Sequence, residues 1–343
     1  MDSSFTSFFA VNFFLKVLMK YSLQYFWGLI NTLQYISLMP AYVDVPGNLY
    51  LIFQNVNVIS NLNILPFEDI NSFVFDFDAT SYINLNFEFQ DIPNCSIENS
   101  GSSFYYFLQA VGAVFCYPVL YILAQRRSFF KRLFNKFVES TQYNYFIRLY
   151  ISFYIEFATA ALTNLYQINL SNNSYKASFA FGIIQLFAIV YVPIQSYFII
   201  SKYEDQVSED GFQQRFGSLV EPYFTESRIG KYYLILFFFR RFVYLGAIVY
   251  LQSHKIYITI IHIYLALAEI SILLQVRSSN DFKALNIKIF NEVTILVVGY
   301  CETFFTGHID DNDFKNEVGW YTIYILLFNI LVNLLAMTSD MVS

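Results

Sequence analysis

The sequence predicts an all-α polytopic membrane protein with about eight transmembrane helices and a small α+β exofacial domain near its N-terminus. Three observations carry that expectation. Hydrophobic residues make up 56% of the 343 and charged residues 13%, with mean hydropathy +0.44, where a soluble domain is nearer ~25% charged. Apolar runs close to the ~20 residues that cross a hydrocarbon core recur along most of the chain. One acidic, Asn-rich stretch early in the chain breaks that series, and its apolar residues alternate with polar ones.

The first run, 7–40, holds Lys16 and Lys20. Its start, MDSSFTSFF, lacks the basic residues of a signal peptide, and no small-residue cleavage site follows. Residues 1–40 are therefore expected to be an uncleaved N-terminal span. Gln24, Asn31 and Gln34 in its second half favour packing against other helices over contact with lipid. Pro40 and the Pro46-Gly47-Asn48 turn end the segment. Leu49, Ile52, Phe53, Val56 and Ile59 then follow helical spacing. Phe73, Phe75 and Phe77 alternate, as do Ile83, Leu85, Phe87 and Phe89, which predicts two short strands joined through Asp78-Ala79-Thr80-Ser81. The stretch 41–102 is thus expected to be a small exofacial domain resting on the spans, too small to hold a large core alone.

Residues 103–343 are expected to form a seven-span membrane domain, with crossings near 103–124, 145–168, 176–200, 231–252, 255–276, 285–306 and 319–338. Gly112, Pro118 and Pro193 interrupt two of these, and such breaks can line a cavity. The loop 125–142 carries Arg126, Arg127, Lys131, Arg132 and Lys136 against a single acid, Glu139, and is expected on the cytoplasmic side. Arg277, Lys283 and Lys288 mark a second cytoplasmic loop. Alternation then puts 42–102, 169–175 and 307–318 outside. The N-x-S/T sequons, at Asn94, Asn169 and Asn172, fall in two of those segments, where glycosylation requires them to be. Both chain ends are expected in the cytoplasm.

The strongest chemical signal is charge inside spans. Arg240 and Arg241 sit in the middle of an otherwise apolar, aromatic run, and Glu156, Glu269 and Glu292 occupy other spans. A charge at that depth costs at least ~2.5–3.5 kcal/mol, so it needs a partner or a wet cavity. Two readings stand open: a polar pathway, or ion pairs that lock helices together. In the second, Arg240 or Arg241 pairs with Glu269 or Glu292, with Glu156 a more distant candidate. The basic loop also places Phe130, Leu133, Phe134, Phe137 and Val138 at helical spacing. That describes an interfacial helix able to hold anionic lipid headgroups, or a topology signal with no ligand.

Other chemistry finds no support. No nucleophile elbow, phosphate-binding glycine loop or CxxC occurs, so no enzymatic activity and no cofactor are expected. His254, His262 and His308 form no metal motif, and Asp310-Asp311-Asn312-Asp313 lacks the glycine and spacing of a calcium loop. Cys95, Cys116 and Cys301 are scattered rather than framed as disulfides. A net charge of −6 argues against a nucleic-acid partner. The partners expected are the lipid bilayer, anionic lipids and further copies of the same chain.

Arg215-Phe216-Gly217-Ser218-Leu219-Val220-Glu221-Pro222-Tyr223, followed by a span with Arg240-Arg241, resembles the TRP-like membrane region of fungal and protist proteins. The family-motif positions are Arg215, Phe216, Gly217, Leu219 and Tyr223. The chain is similar to the C-terminal membrane part of ciliate cysteine-rich multi-pass proteins. Tyr25-Phe26-Trp27-Gly28-Leu29-Ile30-Asn31-Thr32-Leu33-Gln34, Asn63-Ile64-Leu65-Pro66 and Phe290-Asn291-Glu292 resemble further segments of that family. The family's upstream cysteine-rich repeats are absent, so the chain reads as a short member or a fragment. The resemblance implies an ion channel or transporter. The alternative is a non-conducting anchor or receptor-like subunit of a cell-surface assembly. Only about a dozen residues separate the last two spans, shorter than most structured inserts, which favours the anchor. Buried charges and broken helices favour transport.

Overall fold

A computed structural model describes residues 23–60, 74–77, 81–140, 143–220, 227–276 and 282–342. The helices before the long spans are α1 (Leu23–Ile36), α2 (Gly47–Ser60), α3 (Leu85–Phe89) and α4 (Ser96–Ser100). Then come α5 (Ser102–Arg126), α6 (Ser128–Ser140), α7 (Tyr143–Tyr166), α8 (Asn173–Lys202) and α9 (Asp210–Phe216). The chain continues through α10 (Arg228–Lys231), α11 (Tyr233–Tyr250), α12 (Lys255–Gln275), α13 (Phe282–Glu302) and α14 (Asn312–Val342).

Six helices, α5, α8, α11, α12, α13 and α14, are long and apolar enough to cross a bilayer. Their outward faces carry exposed Phe115, Phe187, Tyr264, Phe328 and Leu335. A row of apolar side chains left open along a long helix is the mark of a lipid-facing surface. The chain is an integral multi-pass membrane protein.

Two expectations are corrected. The first concerns the number of crossings, six among the described residues rather than about eight. Residues 1–22 of the first run lie outside the described residues, and the described part, α1, has 14 residues, ~21 Å, too short to cross. Helix α7, with 24 residues, has the length but holds Arg148, Glu156 and Asn164, and every residue from 153 to 164 is buried. That stretch is packed against protein. The apolar run near 231–252 is also shorter than expected, since a turn at Tyr232 starts the long helix at Tyr233. Neither Pro118 nor Pro193 breaks its helix.

The second correction removes the α+β exofacial domain, because the described residues contain no β-strand. Ile83–Phe89 has strand-like alternation, yet the Asn84 side chain accepts the Phe87 backbone N–H and starts the one-turn helix α3. Only Phe87 of that set is buried; Leu85 and Phe89 are exposed. A local cap therefore outweighs a period-two pattern that has no partner strand. Phe73 and residues 78–80 lie outside the described residues. Phe75 and Phe77 stack on one another, and their edges meet Phe104 and Tyr175. The helix expected from Leu49, Phe53 and Val56 is present as α2, with those three side chains buried.

The chain divides into two compact units. One comprises Met1–Ile64, Tyr82–Ile92 and Val243–Ser343. Within it α13 packs against α1, α12 and α14, while α2 packs on α1 and α14. The other comprises Leu65–Ser81 and Pro93–Phe242. There α7 is central and packs against α4, α5, α8 and α9. The described parts of 41–102 are shared between the two units.

Candidate functional site

In the first unit, four ionisable side chains meet out of reach of solvent. The Met39–Ala41 3-10 turn, started by Pro40, delivers Tyr42. Helix α11 contributes Tyr244, α12 contributes His262, and Glu302 is the last residue of α13. All are at most 1% exposed. Tyr42 donates its hydroxyl to Glu302 Oε2 at 2.6 Å, and the same oxygen lies 2.8 Å from His262 Nδ1. The Tyr42 and Tyr244 hydroxyls are 3.3 Å apart. Tyr35 stacks on the Tyr244 ring with centroids 4.2 Å apart and closes the site from the side. At Gly299 a Cβ would stand 3.2 Å from Ile263 and 3.6 Å from the His262 ring, so glycine is what lets α12 and α13 approach here.

The arrangement can hold and exchange a proton. With Glu302 ionised, one oxygen accepts from Tyr42 and from the Nδ1–H tautomer of His262, leaving Nε2 as a lone-pair acceptor. Protonation at Nε2 would then give an imidazolium held against its own carboxylate. Neither His262 Nε2 nor Glu302 Oε1 has a hydrogen-bond partner among the described residues. The cluster sits near one end of the unit's helices: Glu302 ends α13, and His262 lies seven residues into α12, ~10 Å from its start. At that same end Lys255 pairs with Asp44 at 2.6 Å.

Sequence reasoning missed this site. In the sequence His262 stands out only as one of three histidines without a metal motif, and Glu302 stands out not at all, although both fall in expected spans. The available signal was that an ionisable residue inside a span is a functional candidate by default.

The residues singled out from sequence are distributed as follows. Arg240 and Arg241 are buried and belong to the second unit; Glu269 and Glu292 are buried and belong to the first. Arg241 places its guanidinium 3.8 Å over the Phe237 ring. The expected pairing between these arginines and acids remains an expectation. Glu156 is buried on α7 in the second unit.

Of the family-motif residues, Phe216 and Leu219 pack with Ile200, Val207, Phe212 and Val220. Arg215 is exposed, Gly217 begins a 3-10 turn, and Tyr223 lies outside the described residues. Two other family-like segments meet: a Cβ at Gly28 would stand 3.3 Å from the Asn291 amide. Asn291 is itself the hub of a buried triad with Asn329 and Asn333, each donating to Asn291 Oδ1 at 2.9 and 2.8 Å.

The basic residues Arg126, Arg127, Lys131 and Arg132 are all exposed at the junction of α5 and α6, and the Lys136 side chain lies outside the described ones. Arg126, Arg127 and Lys131 line a notch of about 490 Å³ with Tyr121 and Phe134 on its walls. Phe134 packs edge-on against Tyr117 and Tyr121, folding α6 back on α5. Among the sequons, Asn94 is 3% exposed and its amide donates to Gln167 at 2.6 Å. Asn169 and Asn172 are partly exposed. No group of three or more His, Cys, Asp or Glu suited to a metal ion occurs among the described residues.

No family model, curated protein or solved structure matches the chain.

Proposed function

We propose that this multi-pass membrane protein is a TRP-like transporter in which proton exchange at His262 and Glu302 is linked to movement of a solute or ion. The observation that supports it is the fully buried Tyr42–Glu302–His262 chain, whose second ring nitrogen has no partner among the described residues. Burying ionisable groups costs several kcal/mol unless they are paired and hydrogen-bonded. A purely structural lock would be expected to use both imidazole nitrogens. Only the 3-10 turn Thr303–Phe305 and residues 306–311 join α13 to α14. That leaves no room for a pore helix and filter, which favours a carrier over a tetrameric pore. The same short connection is what a non-conducting anchor would have. Purified protein in vesicles with a trapped pH dye separates the two. Under an imposed pH gradient the parent should carry protons, and His262→Ala should lower the flux at least tenfold. Flux equal to that of empty vesicles would favour the anchor.

The basic notch supports anionic lipid as a partner. Exposed Arg126, Arg127 and Lys131 crowd about one apolar-walled recess at the end of a span, and juxtamembrane bases are each worth ~1 kcal/mol near an anionic surface. Reversing Arg126, Arg127 and Lys131 to glutamate should abolish the preference for phosphatidylserine over phosphatidylcholine in a lipid-retention assay. An unchanged lipid profile would leave the loop as a topology signal.

Glycosylation, where it occurs, is expected at Asn169 and Asn172. The Asn94 amide is committed to Gln167 inside the fold. A glycosidase-sensitive gel shift should survive Asn94→Gln and disappear in the Asn169→Gln/Asn172→Gln pair. A shift lost with Asn94→Gln alone would contradict this.

A further inference from the structure

The second unit holds a buried carboxyl that no base answers. Glu156 lies on α7 and is 8% exposed. Its Oε1 has no hydrogen-bond partner among the described residues. The Ser103 hydroxyl at the start of α5 lies beside it. That hydroxyl already donates its proton to the Ser100 carbonyl at 2.5 Å. With its proton committed to Ser100, that hydroxyl has little left to offer a charge on Glu156. A carboxyl buried without a paired cation is held as the neutral acid.

Among the described residues no base is hydrogen-bonded or ion-paired to Glu156, and the Ser103 hydroxyl alone favours the ionised form against its burial. The bases on the elements packed against α7 stand toward element ends: Arg126 on α5, Lys176 and Lys202 on α8, Arg215 on α9. The single ionisable residue of α4 is itself an acid, Glu98. On α7, Arg148 is eight residues away, ~12 Å, and donates to Ser218. On α11, which meets α7 where Phe238 packs on Tyr150 and Tyr154, Arg240 is buried and Arg241 holds its guanidinium over the Phe237 ring.

A polar route leads from this acid to the surface. Ser100 accepts from Gln185 at 2.7 Å and donates to the Ser96 carbonyl at 2.6 Å. Ser96 donates to the Ser178 carbonyl, and Asn164 reaches both the Ser178 hydroxyl and the Asn94 carbonyl. Asn94 donates to Gln167, which is exposed. Along the route Thr159 Oγ1, Asn164 Oδ1, Gln185 Oε1 and Asn94 Oδ1 are buried acceptors without a partner among the described residues. Each can take a hydrogen bond from a passing water.

We propose that Glu156 is a proton-binding site, held as a neutral carboxylic acid and reached from the Gln167 surface along this hydroxyl- and amide-lined seam. It is separate from the His262–Glu302 site and does not depend on the transport reading. A protein that carried nothing would still hold this acid.

Infrared difference spectra of the purified protein in nanodiscs test it. At neutral pH the parent should show a carboxylic-acid C=O stretch that is absent in Glu156→Gln. That band should shift in D₂O as the proton exchanges through the seam. Because an amide of the same shape replaces a neutral acid, Glu156→Gln should fold and melt like the parent. A difference spectrum showing a lost carboxylate band instead would overturn the proposal, as would failure of Glu156→Gln to fold. So would a melting temperature that rises with sodium in the parent but not in Glu156→Gln, which would assign the oxygens to a cation.

Discussion

Glu302→Ala is expected to destabilise the protein by about 3–5 kcal/mol, the scale for removing one partner of a buried hydrogen-bonded pair. The loss is large because one carboxylate oxygen serves two groups. Without it the Tyr42 hydroxyl and His262 Nδ1 lose their shortest bonds and keep only the longer contacts of Tyr42 to Tyr244 at 3.3 Å and to His262 at 3.5 Å. Glu302→Gln retains a carbonyl for Tyr42 and should cost about 1–2 kcal/mol, near the scale of one imperfect hydrogen bond. Thermal unfolding in detergent would read the order parent, Gln, Ala. Equal melting of all three would mean that Glu302 contributes nothing to the fold.

Asn291→Leu should cost about 2–4 kcal/mol, since it strands two amides at ~1–3 kcal/mol each. Asn329 and Asn333 both donate to its carbonyl, and its own amide returns a bond to Asn333 at 3.2 Å. Hydrogen bonds between membrane helices average only ~0.6 kcal/mol, up to ~1.7. The cost therefore comes mainly from the partners left behind and from a methyl, bulkier than the amide nitrogen, set against Gly28. Asn55 is exposed on α2 and bonds only its own helix at Leu51, so Asn55→Ala should change stability by less than ~0.5 kcal/mol. The comparison belongs in one unfolding series. Asn291→Leu behaving like Asn55→Ala would remove the triad as the clamp between α13 and α14.

The spans were legible because apolar length is a local property. The runs that became α5, α8, α11, α12, α13 and α14 announce themselves in any window. The strands were misread because alternation is also local, whereas a strand needs a partner that no window shows. At Asn84 a side-chain cap decided the matter over three residues. Helix α7 looks like one more crossing in sequence because composition does not reveal that residues 153–164 are buried in protein. The candidate site was harder still. Tyr42, Tyr244, His262 and Glu302 are separated by up to 260 positions, and only the packing of α11, α12 and α13 brings Tyr42 and His262 to one Glu302 oxygen with Tyr244 beside them. Arg240 and Arg241 drew attention through their adjacency, while the single histidine and the helix-terminal glutamate carried no pattern.

If His262 exchanges protons while the fold stays intact, rather than locking helices, its ring must respond to pH in the folded protein. The chain has three histidines, so nitrogen-15 NMR of the labelled protein in bilayers can resolve each ring, with His262→Ala giving the assignment. The account predicts that the His262 Nε2 signal moves with pH across a range where the other resonances show the protein folded. Glu302→Gln should displace that response. A His262 ring whose two nitrogen signals stay fixed across the whole folded range would contradict it and leave the cluster as a structural clamp.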